Sequence, residues 1–179
     1  MENGNIIYEP TIRLYGSCTD SNGIYNALVK LKGFDFWFRG RSEMLMLNSN
    51  NEVFLELRKD KTYKIPGGSW DKNESYQSAA ERETMEEARM IVKDVMESIA
   101  YGEIREPSSW VYDKIPEKYI WHGYYTKLFI GRFDRRFNGH IDEHDRDSLE
   151  TDGRFYNINK VWGLLKEPHK IALKNYLQS

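Results

Sequence analysis

The sequence has little cysteine, no excess of positive charge and no long apolar run, and each of these absences narrows the class of protein. Its one cysteine, Cys18, has no partner for an intramolecular disulfide or a zinc knuckle, so we expect an ordinary thiol. Lysine and arginine total 26 against 28 aspartate and glutamate residues, a net charge of −2, so no bulk binding of nucleic acid is expected. No stretch approaches the roughly 20 apolar residues of a membrane span, and residues 1–5 do not begin a secretory signal. We therefore expect a cytoplasmic protein without membrane association.

The length of 179 residues, with 14% aromatic and 30% charged residues, suits one globular domain with a sizeable core. The sequence contains no internal repeat, low-complexity tract or linker, which predicts a single domain over residues 1–179. The first forty residues are harder to assign: 6–8 and 11–15 favour short strands, and 24–31 favours a strand or a short helix. We predict that residues 1–40 form a short N-terminal extension and are a candidate homodimer element, although a monomer fits the composition equally well.

Arg82, Glu83, Glu86 and Glu87 are spaced so that they can share one face of a helix. Residues three and four apart in an α-helix project from the same face, so the three glutamates would repel one another. A hard divalent cation such as Mg²⁺ or Mn²⁺ prefers carboxylate oxygens and keeps water or phosphate oxygens in its remaining positions. The cluster therefore indicates metal-assisted phosphate chemistry. The alternative is a charged helix that faces solvent, which these four residues alone do not exclude.

The residues before this cluster have a spacing that a solvent-facing helix does not explain. A glycine loop at residues 65–68 ends in Gly68, five residues separate Gly68 from Glu74, and seven more precede Arg82. Together with the glutamates, the pattern resembles the Nudix box, G-x5-E-x7-R-E-U-x-E-E-x-G-U, in which U is an aliphatic residue. The resemblance in strict form covers residues 68–90.

Thr84 and Arg89 depart from the Nudix pattern. Thr84 stands where an aliphatic residue is usual, and its volume is close to that of valine, so we expect a slight change in helix packing. Arg89 stands where a second glycine is usual. Because arginine enters the left-handed region at a cost that glycine avoids, we expect the helix to continue through residues 90–92 or to end with another cap.

The resemblance implies a Nudix hydrolase that uses Mg²⁺ or Mn²⁺ to cleave a diphosphate linkage. It implies that Glu83, Glu86 and Glu87 bind the metal, and that Arg82 holds a glutamate through a charge-assisted hydrogen bond. Glu83, Glu86 and Arg82 are accordingly predicted as catalytic residues. Glu74 is predicted to begin the helical region and to bind or support a second metal.

The resemblance also predicts site residues outside the box helix. Gly67 and Gly68 are predicted in substrate binding, because Gly68 lets the backbone turn close to the metal. Arg132 is a candidate for binding a distal phosphate of the substrate. Members of the family often use another carboxylate from outside the box, and the acidic loop before the last strand offers Glu143 and Glu150 as the first candidates.

The elements on both sides of the box predict an α/β fold. Residues 44–47 and 53–57 read as a hairpin around a turn at 48–51, with Val53, Leu55 and Leu57 on one face. Further strands are predicted at 99–104, 119–132 and 154–158, and two helical segments after Lys160, interrupted at Pro168. This order fits the α/β/α sandwich of the Nudix fold, with a mixed central sheet and the box helix directly after the glycine loop.

The substrate class stays broad at this level. We expect a small-molecule nucleoside diphosphate derivative: a nucleotide sugar such as ADP-ribose, a nucleoside triphosphate or a dinucleoside polyphosphate. Pro107 lies 17 residues beyond the box, near where members that cleave ADP-ribose tend to carry a proline. A different class of function is a Nudix-fold module that binds nucleotides as a sensor or regulator without catalysis. The complete set of glutamates counts against this alternative, because such a module does not need a repulsive acidic face.

Overall fold

The computed structural model of the chain describes residues 5–8, 12–19, 25–31, 34–58, 61–71, 73–105, 122–139 and 152–179. The strands in these ranges are β1 Asn5–Tyr8, β2 Ile12–Thr19, β3 Tyr25–Leu31, β4 Phe34–Leu47, β5 Val53–Leu57, β6 Tyr63–Lys64, β7 Gly67–Ser69, β8 Met90–Arg105, β9 His122–Arg136 and β10 Asp152–Tyr156. The helices are α1 Tyr76–Ala88, α2 Ile158–Val161 and α3 Glu167–Gln178, with a 3₁₀ turn at Trp162–Leu164. None of the helices within these ranges is long and apolar enough to cross a membrane.

The described strands form one mixed sheet with the central order β1-β8-β9-β4-β3-β2. β4 and β9 run parallel, with a register that extends from Trp37↔His122 to Leu47↔Arg132. β1 with β8, β8 with β9, β4 with β3 and β3 with β2 are all antiparallel. β5 hydrogen-bonds to β4, β6 and β10, while β7 pairs with β4 next to the glycine loop. The predicted mixed sheet is confirmed.

β4 shows why the fold has helices on two faces of the sheet. Met44 and Met46 belong to an apolar cluster with residues of α1, whereas Leu45 and Leu47 belong to a second cluster with residues of α3. Successive side chains on a strand point to opposite faces, so the two clusters lie on opposite sides of β4. All four side chains are fully buried. The predicted α/β class, a sheet packed against helices, is therefore confirmed.

The predicted hairpin is present, with Leu47 of β4 paired to Val53 of β5. Its turn is fixed by Asn48, whose side-chain oxygen accepts hydrogen bonds from the backbone N–H groups of Asn50 and Glu52 at 2.9 Å each. β5 is buried on both faces, because Phe54 and Glu56 on one face are buried as well as Val53 and Leu55 on the other.

Helix α1 begins and ends at well-defined caps. Ser75 is its N-cap, and its hydroxyl accepts a hydrogen bond from the Ser78 N–H. Arg89 follows the last helical residue with φ 55° and ψ 40°, and its N–H donates to the Met85 carbonyl at 3.1 Å. The expected continuation through residues 90–92 is wrong, because Arg89 itself adopts the left-handed conformation and Met90 begins β8.

Thr84 fits the buried face of α1 without an unsatisfied polar group. Its side chain is fully buried, and its hydroxyl donates to the Ala80 carbonyl one turn earlier at 2.7 Å. The helix therefore tolerates threonine at the position where the family pattern has an aliphatic residue.

Two sequence predictions near the C-terminus are wrong in detail. The two predicted helical segments are present as α2 and α3, but the break between them comes before Pro168, which lies in the first turn of α3, where its missing N–H costs nothing. The predicted strand at 154–158 is β10, which ends at Tyr156, because the Asn157 side chain accepts a hydrogen bond from the Asn159 N–H and caps α2.

Strands from the first forty residues belong to the same sheet as β7 and β8, the strands on either side of α1. β1 pairs with β8 at one end of the central order, and β2 and β3 extend it beyond β4 at the other. The segment at 24–31, predicted as a strand or a helix, is strand β3. The division of the chain into a single domain with an extension at 1–40 stays a prediction.

Candidate active site

The glycine loop and helix α1 meet closely enough to exclude side chains from the loop. A Cβ built on Gly68 would lie 2.3 Å from the Glu83 carboxylate carbon, and one built on Gly67 would lie 2.6 Å from the Ser42 carbonyl oxygen. Contacts this short do not occur with real Cβ atoms, so glycine is required at both positions while Glu83 keeps its place.

Arg82 gathers the acidic residues of the box around one guanidinium. Its Nη1 donates to Glu83 Oε1 at 3.0 Å and to Glu86 Oε2 at 2.9 Å. Its Nη2 donates to Glu74 Oε1 at 2.9 Å and to the Ser69 carbonyl at 3.0 Å, while Nε donates to Glu74 Oε2 at 3.2 Å. The planar fork of arginine suits this task, because several donors are held in fixed directions at once.

Glu74 was predicted to begin the helical region, but Ser75 is the residue that caps α1. Both Glu74 carboxylate oxygens accept hydrogen bonds from Arg82, and Oε1 also accepts from the Asp71 N–H at 2.8 Å. Glu74 therefore supports the position of Arg82 and the loop before the helix. Its role as a metal ligand stays a prediction.

Glu83 is a box carboxylate whose pKa is raised by its surroundings. The net pKa of Glu83 is about 7. Burial raises it most, the negative charges of Glu87 and Glu86 raise it further, and the positive charge of Arg82 lowers it in part. The ionised form of a buried carboxyl group is destabilised by negative charges nearby. A cation that binds the carboxylate in place of the proton would remove that cost. The face of α1 is therefore short of positive charge despite Arg82.

Glu87 accepts hydrogen bonds at both of its carboxylate oxygens. The Gly67 N–H donates to Oε2 at 2.8 Å, and the Lys64 ammonium donates to Oε1. Lys64 also lies 3.3 Å from Glu56 Oε2, so it bridges a box carboxylate and a fully buried one. The sequence reading missed Lys64 and Glu56, although a glutamate within the apolar run of β5 was a visible signal.

A second charged network lies beneath the glycine loop and was also missed from the sequence. Glu43, next to Gly67 in the β4–β7 pairing, is buried and accepts hydrogen bonds from the Tyr101 hydroxyl at 2.7 Å and from His169 Nε2 at 3.0 Å. Burial raises the pKa of Glu43, but the His169 hydrogen bond and the charges of His169 and Arg41 outweigh it and hold the pKa well below its ordinary value. An ionised carboxylate only accepts, so Nε2 of His169 carries the proton.

Arg41 connects this network to the loop. Its Nη2 donates to the Gly67 carbonyl at 3.3 Å, and its guanidinium lies 5.1 Å from the centre of the Tyr124 ring. Both backbone polar groups of Gly67 are therefore held, its carbonyl by Arg41 and its N–H by Glu87.

The donor set on this face fits a hard divalent cation. Glu83, Glu86 and Glu87 offer carboxylate oxygens, and the raised pKa of Glu83 records the shortage of positive charge among them. As placed, no group of three or more acidic, histidine or cysteine side chains in the described ranges converges closely enough to hold a metal. The Arg82 and Lys64 contacts hold the carboxylates in their present positions.

Arg132, which was predicted to contact the substrate, lies at the β4–β5 turn. Arg132 donates to the Asn48 carbonyl at 2.9 Å and to Asn51 Oδ1 at 2.8 Å, so its guanidinium fixes the β4–β5 turn. Its predicted contact with a distal phosphate stays a prediction. Glu143, Glu150 and Pro107 lie outside the described residues.

Comparison with known proteins gives one extensive match. A family model described as the NUDIX domain matches residues 37–177, most of the chain. The match contains the glycine loop, α1, and the strands that carry the Glu43 network. No curated protein sequence matches the chain significantly.

Solved structures resemble the chain in fold at low sequence identity. MutT, described for Aliivibrio salmonicida and Vibrio cholerae, shares 16% identity over 79% of this chain and 97% of its own, with a TM-score of 0.51. The pyrophosphohydrolase BsRppH of Bacillus subtilis shares 14% identity over 89% of this chain and 87% of its own, with a TM-score of 0.48. The Nudix hydrolase RenU of M. smegmatis shares 15% identity over 91% and 94%, also with a TM-score of 0.48. At this identity the likeness to MutT shows the fold alone.

Proposed function

The chain belongs to the NUDIX domain family, as residues 68–90 predicted, and we propose that it uses Mg²⁺ or Mn²⁺ to hydrolyse a diphosphate linkage in a small nucleoside diphosphate derivative. Family membership supports a hydrolase that acts on phosphoric anhydrides. The finer proposal names the substrate class as nucleotide sugars such as ADP-ribose, nucleoside triphosphates and dinucleoside polyphosphates. A cytoplasmic location is part of the same expectation, and a homodimer and a monomer fit it equally well.

The observation that carries the proposal is the gathering of acidic side chains by Arg82. One guanidinium holds Glu83 and Glu86 within 3.0 Å on the face that meets the glycine loop. On a helix that faces solvent, the Glu83 carboxylate would keep its hydration and its pKa would stay near the ordinary value. The raised pKa of about 7 therefore shows that Glu83 is not an ordinary exposed carboxylate. The arrangement holds acidic oxygens in place before a cation or substrate arrives.

Glu83, Glu86 and Glu87 are the residues that would hold the metal. When bound, a divalent cation neutralises phosphate oxygens and lowers the pKa of a bound water. The chain's own part is to orient the carboxylates through Arg82, to keep Glu87 in place through the Gly67 N–H, and to exclude side chains from the loop. Glu83 is our candidate to accept a proton from the attacking water.

The test is product analysis on a nucleotide panel with Mg²⁺ or Mn²⁺, for the wild type, Glu86→Gln and Glu81→Gln. The panel contains ADP-ribose, a dinucleoside polyphosphate and the nucleoside triphosphates, and product masses name the bond that is cut. Glu81 lies on the same helix but bonds to Gln77 instead of Arg82, so it is the matched control. We expect turnover in the wild type and the control, and at least about a hundredfold loss in Glu86→Gln.

Absence of turnover on every member of the panel would contradict the proposal. If nucleotide binding then persisted in Glu86→Gln without added metal, the sensor function would take its place.

A further inference from the structure

Lys64 is positioned between two carboxylates that differ in their surroundings. It lies on β6 directly opposite Glu56 of β5, in the register Glu56↔Lys64. Its Nζ donates to Glu87 Oε1 and lies 3.3 Å from Glu56 Oε2. Glu56 is fully buried, while the Lys64 side chain keeps 27% of its exposure and the Glu87 side chain 12%. One ammonium therefore contacts a fully buried carboxylate and a partly exposed one.

This ammonium stabilises both carboxylates. Removing water from Glu56 is costly unless a positive charge stands close by, because an ionised group in a buried site loses its hydration. Glu87 lies on the same face as Glu83 and Glu86, so its negative charge repels theirs. Lys64 reduces that repulsion by its contact with Glu87.

A divalent cation on the acidic face would change this balance. It would repel the Lys64 ammonium at close range and would compete with it for the Glu87 oxygens. Lysine has a flexible stem and a compact charge, so its ammonium can leave one partner while it stays near another 3.3 Å away. Glu56 is that second partner.

We propose that Lys64 is a resident counter-ion of the site, which holds Glu87 while no metal is bound and withdraws to Glu56 when a divalent cation takes Glu87. The proposal rests on the proposed function, because it requires the metal to bind at the acidic face. Its consequence is that metal affinity is set by competition with Lys64, and that Glu56 favours metal binding without contacting the metal. Glu56 and Lys64 are thus positioning residues.

The experiment measures Mn²⁺ binding without nucleotide, by calorimetry and by the paramagnetic resonance signal of free Mn²⁺. It compares the wild type with Lys64→Met, Glu56→Gln and the double variant. Lys127→Met is the matched control, because the Lys127 ammonium forms its ion pair with Glu97 at 2.9 Å rather than with Glu83, Glu86 or Glu87. The double variant removes both charges together, so it leaves no buried carboxylate without its cation if Lys64→Met alone fails to fold.

We expect Lys64→Met and the double variant to bind Mn²⁺ at least about fivefold more tightly than the wild type, because Lys64 no longer competes for Glu87. Glu56→Gln should bind more weakly than the wild type, since Lys64 then gives its whole charge to Glu87. Lys127→Met should match the wild type. The opposite shifts in Glu56→Gln and in the double variant separate competition from a general loss of structure.

Equal or weaker Mn²⁺ binding in the double variant would overturn the counter-ion role. The Glu86→Gln variant distinguishes this failure from failure of the proposed function. If Glu86→Gln loses Mn²⁺ while the Lys64 variants do not bind it more tightly, only the counter-ion role is wrong. If Glu86→Gln binds Mn²⁺ as the wild type does, the metal does not use the acidic face, and both proposals are overturned.

Discussion

Replacing Glu83 with glutamine should stabilise the metal-free protein at alkaline pH. The pKa of Glu83 rises from 4.5 to about 7 on folding, so ionising it in the folded state costs up to about 3 kcal/mol above pH 7. Its side chain is only 14% exposed, so solvent screens little of this cost. Glutamine still accepts a hydrogen bond from Arg82 but loses the charge in it. We therefore expect a net gain of about 1–2 kcal/mol at pH 8.

The pH dependence gives the sign of the effect. A carboxyl group with a raised pKa stabilises the folded state below its unfolded pKa of 4.5, and this stability is lost as the pH rises through about 7. Neutral glutamine resembles protonated Glu83, so most of the advantage of Glu83→Gln should disappear at pH 4.5. The gain at pH 8 corresponds to a rise in Tm of about 3–6 °C for a domain of this size.

The assay is urea unfolding in the presence of a chelator at pH 8 and pH 4.5, for the wild type, Glu83→Gln and Glu81→Gln. The control should stay within about 0.5 kcal/mol of the wild type at both pH values. In chelator-free buffer, Glu83→Gln should bind Mn²⁺ more weakly than the wild type. A Glu83→Gln protein that is less stable than the wild type at pH 8, or equally favoured at both pH values, would refute the reasoning.

Three further substitutions test the loop, the buried network and the helix cap. Gly68→Ala puts a Cβ 2.3 Å from the Glu83 carboxylate carbon, so Mn²⁺ affinity should fall at least about tenfold with an unchanged circular dichroism spectrum; unchanged affinity in a calorimetric titration would count against the close approach. Glu43→Gln should cost about 2–4 kcal/mol in urea unfolding at pH 7. Because the pKa of Glu43 is lowered in the folded state, the ionised carboxylate stabilises the fold above pH 4.5, and this stabilisation declines as the pH falls. The difference in unfolding free energy between Glu43→Gln and the wild type should therefore be smaller at pH 4 than at pH 7, and a constant difference would contradict this assignment. Arg89→Gly should raise the free energy of unfolding by up to about 1 kcal/mol in thermal unfolding, because a φ of 55° costs arginine more than glycine. A loss of stability would show that the hydrogen bond from the Arg89 side chain to the Gly139 carbonyl contributes more than the backbone strain costs.

The sequence predicted the features that depend on spacing within one element. Helical periodicity places Arg82 next to Glu86, and the structure has this contact at 2.9 Å. The order of strand, glycine loop and helix follows from local turn and cap chemistry, as do the hairpin and its turn. The end of α1 was not predictable in the same way, because Arg89 takes a left-handed conformation that the packing of β8 against β9 imposes over local preference.

The charged partners beneath the loop could not be predicted, because they are distant in sequence. Glu43 meets Tyr101 58 residues away and His169 126 residues away, and Lys64 meets Glu87 23 residues away. Only the tertiary fold decides which of many charged residues become neighbours. A charged residue inside an apolar strand is a sequence signal for such a network, but it does not identify the partner.

The glycine loop is the point where these networks meet. The Gly67 N–H donates to Glu87 and its carbonyl accepts from Arg41, so a single residue links the acidic face of α1 to the Glu43 network. Arg82, Lys64 and Arg41 come from different elements, yet each places a positive charge near a carboxylate of the site. Three cations held in this way fix the carboxylates, yet burial and the neighbouring negative charges still raise the pKa of Glu83. Under the proposed function, the cost of that shortage of positive charge in the metal-free protein would become affinity for a divalent cation, because the charge that destabilises the fold is the charge that the metal would neutralise.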